Sequence, residues 1–195
     1  MKILIACEFS GVVRNAFNER GHEAVSCDLL PSETPGPHHQ GDVREIMNQP
    51  WDMMIAHPPC TYMANSGAKH LYIGMKRENG INPERWANMV ESAEFFRMLW
   101  DLPISRIVIE NPIMLGCAKN IVGSKQSQTI QPWQHGHGET KATCLWLRGL
   151  PLLMPTHIVP GRIPRVHFMP PSTERWKMRS TTLPGIARAF AEQWG

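Results

Sequence analysis

The sequence predicts an α/β protein with a mostly parallel sheet flanked by helices, and three observations carry that reading. Strand-like runs at Lys2–Cys7, Glu23–Cys27, Trp51–Ala56 and Arg106–Ile109 are rich in apolar residues, as strands buried on both faces are. Helix signals fall between them, at about Val12–Glu19 and after Asn82-Pro83. Three runs also end on chemistry-bearing residues: Asp28, His57-Pro58-Pro59-Cys60 and Glu110-Asn111-Pro112. In an open α/β sheet, ligands bind in the crevice outside the carboxyl ends of the strands.

The chain has 195 residues, enough for one domain with a sizeable core. Its net charge of +3 is compatible with a polyanionic partner and does not by itself require one. The five cysteines (Cys7, Cys27, Cys60, Cys117, Cys144) are widely spaced with no CxxC pair, so neither a disulfide framework nor a zinc site is predicted. Free thiols in a reducing cytoplasm are the simplest reading. No apolar run reaches membrane-spanning length, and the N-terminus enters a strand without a signal-peptide pattern. A soluble cytoplasmic protein with no membrane partner is expected.

Taken in order, the first strand leads into Glu8-Phe9-Ser10-Gly11, and the first helix ends near Gly21. The second strand ends on Asp28. Strand, glycine turn, helix, strand and acid is the layout of a nucleotide-binding βαβ unit, in which the acid accepts from ribose hydroxyls. One glycine is also compatible with a generic tight turn, and Asp28 with a merely polar strand end. Pro31–Gln40 reads as a loop, and Gly41-Asp42-Val43 opens a short helix to about Asn48. Asp42 either accepts from an adenine amino group or caps that helix. His38-His39 lacks a third ligand at clear spacing, so no metal is assigned.

After Cys60, residues Thr61–Ile81 form a long loop carrying Asn65, Ser66, Lys69 and His70, and a loop of that length in a compact domain is usually functional or disordered. In the helix that Asn82 caps, Trp86, Met89, Val90, Ala93, Phe96 and Trp100 form a core stripe. Ser127–Gln131 and Lys141–Arg148 suit an antiparallel strand pair near the C-terminal end. Gly161–Arg179 reads as irregular and basic, with Arg162, Arg165 and Arg175 near Phe168 and Trp176. Arginines among aromatic residues suit phosphate contact, and the same composition equally suits a basic loop that is simply solvated. Thr182-Leu183-Pro184 opens a closing helix through Trp194.

The motifs Cys7-Glu8-Phe9-Ser10-Gly11, Asp28, Gly41-Asp42, Pro58-Pro59-Cys60, Glu110-Asn111-Pro112 and Ser180-Thr181-Thr182-Leu183-Pro184 occur in an order that resembles the DNA cytosine-5 methyltransferases. The resemblance is dense at residues 1–70 and 104–112. It implies a class I methyltransferase fold (Rossmann-like) and S-adenosylmethionine as methyl donor. Under it, Phe9, Ser10 and Gly11 border the cofactor, Asp28 holds its ribose, Asp42 its adenine, and Pro58, Pro59 and Leu183 line its pocket. Cys60 matches the catalytic nucleophile and Glu110 the acid that holds the cytosine. Lys141 is the nearest match to the family's base-contacting arginine, whose Gln-x-Arg-x-Arg strand has no clean counterpart here. Asn65, Ser66, Lys69, Arg162, Arg165 and Arg175 are the expected substrate and DNA contacts.

The residue types suit the chemistry. Carbon-5 of cytosine is a poor nucleophile, and a thiolate adding at carbon-6 activates it. An acid at ring nitrogen N3 stabilises the charge that develops. Those roles ask for a raised pKa at Glu110 and a lowered one at Cys60. A base within duplex DNA must be flipped out to react, unless it is already single-stranded. The chain departs from the family in Val12-Val13, where further glycines are usual, and in Pro112, where valine is common. It is also short: residues 1–195 form one methyltransferase domain, and only 151–179 could serve as a reduced target-recognition segment. Specificity is therefore expected to be minimal, or supplied by a partner or an oligomer. A compact form of this kind suits a phage or mobile-element gene. The alternatives are the same chemistry on a nucleotide or RNA pyrimidine, and a silent nucleic-acid-binding relative.

Overall fold

The computed structural model describes residues 1–195. Its seven strands are β1 (Lys2–Ala6), β2 (Glu23–Asp28), β3 (His38–Gln40), β4 (Met53–Ala56), β5 (Arg106–Pro112), β6 (Gln128–Ile130) and β7 (Thr143–Arg148). They form one sheet in the order β3-β2-β1-β4-β5-β7-β6. The first five are parallel, and β7 runs antiparallel to both β5 and β6. The helices are α1 (Val12–Asn18), α2 (Pro83–Trp100), α3 (Gly116–Val122), α4 (Arg165–Phe168), α5 (Arg175–Ser180) and α6 (Pro184–Trp194). None is long and apolar enough to cross a membrane.

Strand alternation divides the core in two, because successive side chains point to opposite faces. Leu4, Ala6, Met54, Ala56, Ile107, Ile109 and Trp146 pack with Met89, Ala93 and Phe96 of α2 and Ala118 of α3. Ile3, Ile5, Met53, Ile55, Val108 and Leu145 pack with Val13 and Phe17 of α1 and Ile186 and Phe190 of α6. Both faces are covered, which is why these strands read as apolar runs.

Asn82 caps α2 as its sequence predicts, accepting from the Arg85 amide at 3.1 Å beside Pro83 at the first position. The core stripe of α2 is corrected at its ends: Met89, Ala93, Phe96 and Leu99 are fully buried, Val90 and Trp100 partly, and Trp86 is exposed. Four further expectations change. Residues 38–40, read as loop, form edge strand β3, held by parallel pairing to Ser26–Asp28. The helix expected after Asp42 is a single 3-10 turn, Val43–Glu45. The 61–81 loop is a chain of 3-10 turns at Asn65–Leu71, Ile73–Met75 and Arg77–Asn79. The basic stretch before α6 is not wholly irregular, since α4 and α5 lie in it.

Candidate active site

The site forms where four chain segments meet at the carboxyl edge of the parallel strands. β4 pairs with β5 up to Ala56 opposite Ile109, so His57 and Glu110 emerge as neighbours. Glu110 does not end its strand as predicted, because β7 extends the pairing to Pro112 opposite Thr143. His57 Nδ1 and Glu110 Oε2 lie 2.9 Å apart, with both side chains largely buried. The Thr182 hydroxyl makes a longer contact of 3.5 Å to the same carboxylate oxygen. Lys141, just before β7, donates from Nζ to the Arg179 carbonyl at 2.9 Å, joining this corner to the end of α5.

The electrostatics invert what the chemistry asks for. Burial alone would neutralise Glu110, but the His57 hydrogen bond and charge, with Lys141 and Thr182, outweigh it and hold its pKa at about 2. Burial likewise opposes the His57 cation, and Glu110 more than compensates, raising its pKa above the ordinary 6.5. Cys60 is pushed up, first by burial and then by the Glu110 charge, with Lys141 and Arg179 pulling the other way. At rest the corner therefore holds an ion pair next to a thiol.

The two shifts give a pH signature. The raised His57 pKa contributes stability that is complete below about 6.5 and is lost as pH rises through the folded value. The lowered Glu110 pKa contributes stability that is complete above about 4.5 and is lost as pH falls toward about 2. Wild type minus Glu110→Gln, measured as the difference in Tm, is expected to be largest between those limits and to shrink on both sides. A difference that is flat with pH would contradict the pair.

The turn after β1 is organised by Glu8, which the sequence reading left without a role. Its carboxylate accepts from the Val13 amide at 2.7 Å and the Arg14 amide at 3.2 Å, capping α1 from inside the turn. Ser10, read as a cofactor contact, is buried, and its hydroxyl donates to Glu8 at 3.3 Å. Gly11 has φ +71, and a side chain there would collide with Thr34 and Arg14. The close approach that this glycine permits is made here by the protein's own side chains. Phe9 meets the Trp176 ring at 5.8 Å between centroids, and Lys177 pairs with Glu33, so α5 straps the turn.

Asp28 sits at the end of β2, where one carboxylate oxygen accepts from the Leu30 amide at 3.0 Å. Burial raises its pKa, and backbone hydrogen bonds and His38 oppose that. Asp42 caps the 3-10 turn, accepting from the Arg44 amide at 2.9 Å and its guanidinium at 2.8 Å. Of the two roles open to it, the cap is the one formed. Pro58 is buried and Pro59 exposed. Leu183 is partly buried against the apolar core beside α6, and the hydroxyl of the neighbouring Thr182 faces Glu110.

Asn65, Ser66 and Lys69 are exposed on the turn after Cys60. Arg85 of α2 anchors that turn, donating to the Thr61 carbonyl at 2.7 Å and lying over the Tyr62 ring. Arg162 stacks 3.9 Å over Trp133, and Arg165 pairs with Glu139 at 2.9 Å, so both contact the protein as well as solvent. Arg175 is half-buried, with its Nε unpartnered. The residues missed by sequence reasoning are Glu8, His57 and Thr182. Only His57 had a visible signal, its place at the strand end before the two prolines.

Comparison with solved structures finds similar chains. A protein described as a DNA modification methyltransferase encoded within an E. coli prophage superposes with a TM-score of 0.50 at 14% identity, over 88% of this chain and 56% of that one. The Entamoeba histolytica methyltransferase EhMeth gives a TM-score of 0.48 at 15% identity, over 89% and 61% of the two chains. Spodoptera frugiperda DNMT2 gives 0.42 at 16% identity, over 83% and 54%. This chain spans little more than half the length of these structures. No protein-family model matches it, and no curated protein matches it in sequence. The fold is the Rossmann-like fold of methyltransferases, with its antiparallel strand pair near the C-terminal end.

Proposed function

We propose that this chain is a DNA cytosine-5 methyltransferase, dependent on S-adenosylmethionine and acting through a covalent Cys60 adduct. The observation that carries the reading is the convergence of Cys60, which follows parallel β4, and Glu110, near the end of parallel β5, with Lys141, which precedes antiparallel β7, on the edge that also holds Asp28. The residues fit the donor in chemical type. The half-buried Asp28 carboxylate suits ribose hydroxyls, and the exposed Leu29 beside it offers apolar surface for a purine. Phe9 and Asp42 flank the same edge. S-adenosylmethionine, when bound, supplies an electrophilic methyl group.

The chain's own residues then divide the work. Cys60 gives its thiol proton to solvent, the resulting thiolate forms a bond from sulfur to carbon-6 of the base, and the carbon-5–carbon-6 π pair moves to carbon-5. Glu110 holds N3 and the exocyclic amine and protonates N3 as charge builds. Lys141 offsets negative charge at both Cys60 and Glu110. In the last step a base removes the carbon-5 proton, the double bond re-forms and the carbon–sulfur bond breaks. Asn65, Ser66 and Lys69 hold the extruded nucleotide in this reading. Residues 151–179, with Arg162, Arg165 and Arg175, serve as a DNA-contact segment.

The test is label transfer from S-adenosylmethionine to duplex DNA, single-stranded DNA, RNA and dCMP. Label on DNA cytosine carbon-5 is expected. Label on RNA or dCMP alone would move the substrate while keeping the chemistry, and none on any of the four would overturn the proposal. Asp28→Ala is expected to weaken cofactor binding about 10- to 100-fold while circular dichroism stays unchanged, the scale of losing hydrogen bonds to a charged group. Unchanged affinity would remove Asp28 from the site.

A further inference from the structure

His57 has no part in that chemistry as written, yet it sits at the centre of the site. Its ring lines a small cavity with Cys7, Glu8, Phe9 and Ser10 on one side and Ser180, Thr181 and Thr182 on the other. Nδ1 is bound to Glu110, while Nε2 is buried without a partner. Two carboxylates face the ring, Glu110 from β5 and Glu8 from the turn after β1, against one cation, Lys141 before β7. Cys60 lies three residues further along its own loop. A buried imidazole beside two carboxylates keeps its proton.

We propose that His57 stores the proton that Glu110 delivers to the base, making it a positioning and proton-supplying residue that acts through Glu110. The inference rests on the cytosine reading above. An acid that donates to N3 must carry a proton, and Glu110 at rest does not, since His57 holds it as a carboxylate. The missing proton is one hydrogen bond away. When a base occupies the site, the Nδ1–H bond of His57 breaks, its electron pair stays on the ring, and an O–H bond forms on Glu110. That O–H then breaks as N3–H forms, and its electron pair returns to the carboxylate. His57 is left neutral, with its remaining proton on Nε2. The reverse transfers restore the pair when the adduct collapses. Protonation at N3 also cancels the negative charge that thiolate addition would otherwise leave on the base.

A purely structural His57 would only orient Glu110, and His57→Asn separates the two roles. The amide of asparagine can place an N–H near the position of Nδ1 and hold Glu110, but it has no proton to give. The expected result is a kcat lowered about 10²- to 10³-fold, within the range for general acid–base catalysis, with KM for DNA little changed. In wild type, kcat falls at alkaline pH as His57 deprotonates, and the variant loses that limb. A variant that keeps both the kcat and the alkaline limb of wild type overturns the relay while leaving the cytosine reading intact. Absence of transfer by wild type overturns both. Nitrogen-15 spectra of histidine-labelled wild type and Glu110→Gln provide a readout that needs no turnover. An imidazolium that persists above pH 6.5 only when Glu110 is present is expected, and a neutral His57 at pH 6.5 in wild type overturns the proposal.

Discussion

Cys60→Ser is expected to lower methyl transfer by at least about 10⁴-fold, the scale on which removal of a nucleophile acts. Serine differs from cysteine by one atom and Cys60 is only partly buried, so the fold and the affinity for S-adenosylmethionine should be unchanged. The loss is large because sulfur contributes through its ionised form, and a hydroxyl ionises far less readily. Burial already opposes that ionisation, and the Glu110 charge opposes it further. Lys141 and Arg179 are the counterweights, so Lys141→Met is expected to lower the rate less than Cys60→Ser does. Single-turnover measurements with labelled cofactor separate the chemical step from binding. Transfer by Cys60→Ser within tenfold of wild type would contradict covalent catalysis.

Arg14→Met is expected to cost about 3–5 kcal/mol of stability, the scale of breaking a buried charged network. Arg14 is fully buried, and its guanidinium donates to Asn15, Ser26, Ser32, both the carbonyl and hydroxyl of Thr34, and the Pro35 carbonyl, all at 2.8–3.0 Å. Methionine fills similar volume but leaves those acceptors unpaired, and each buried unpaired group costs about 1–3 kcal/mol. The consequence reaches function because this network pins the loop after Asp28. Thr34 donates to the Ser10 carbonyl at 3.1 Å, and the Glu33 amide donates to the Phe9 carbonyl at 2.9 Å. Glu33 in turn pairs with Lys177 of the strap. Urea denaturation should show a lower midpoint, and cofactor binding should weaken under conditions where the variant is still folded. Arg14→Lys should recover little, since one ammonium cannot span acceptors that a planar fork reaches. A midpoint within 0.5 kcal/mol of wild type, on the scale of ordinary surface substitutions, would contradict this role.

The central strands were legible because their side chains are buried on both faces, leaving the runs of Ile, Leu, Met and Val uninterrupted by polar residues. Pro58 and Pro59 marked a strand end for an equally local reason. β3 was not legible: His38, His39 and Gln40 form a polar edge strand whose only support is the backbone of β2. Arg14 looked like any arginine on a short helix, and nothing local shows that a loop some twenty residues later closes over it. At the site, Cys60 and Glu110 were found by residue type and strand position. The His57–Glu110 pair depends on the register between two strands some fifty residues apart, which spacing does not encode. The same gap explains the inverted proton assignment, since the protonation of Glu110 is decided by a neighbour that the sequence does not place. Leu183 and Thr182 are neighbours at a helix start, and only the packing of α6 shows that Thr182 meets Glu110 while Leu183 packs on the core.

The most direct test of covalent cytosine chemistry is intact mass spectrometry of the protein incubated with S-adenosylmethionine and DNA carrying 5-fluorocytosine. Fluorine at carbon-5 leaves no proton for the final elimination, so the adduct cannot collapse. The account predicts a cofactor-dependent protein–DNA species whose modified peptide contains Cys60, and its absence in Cys60→Ser. Methylation of ordinary cytosine with no trapped species, or a species attached at another residue, would contradict it.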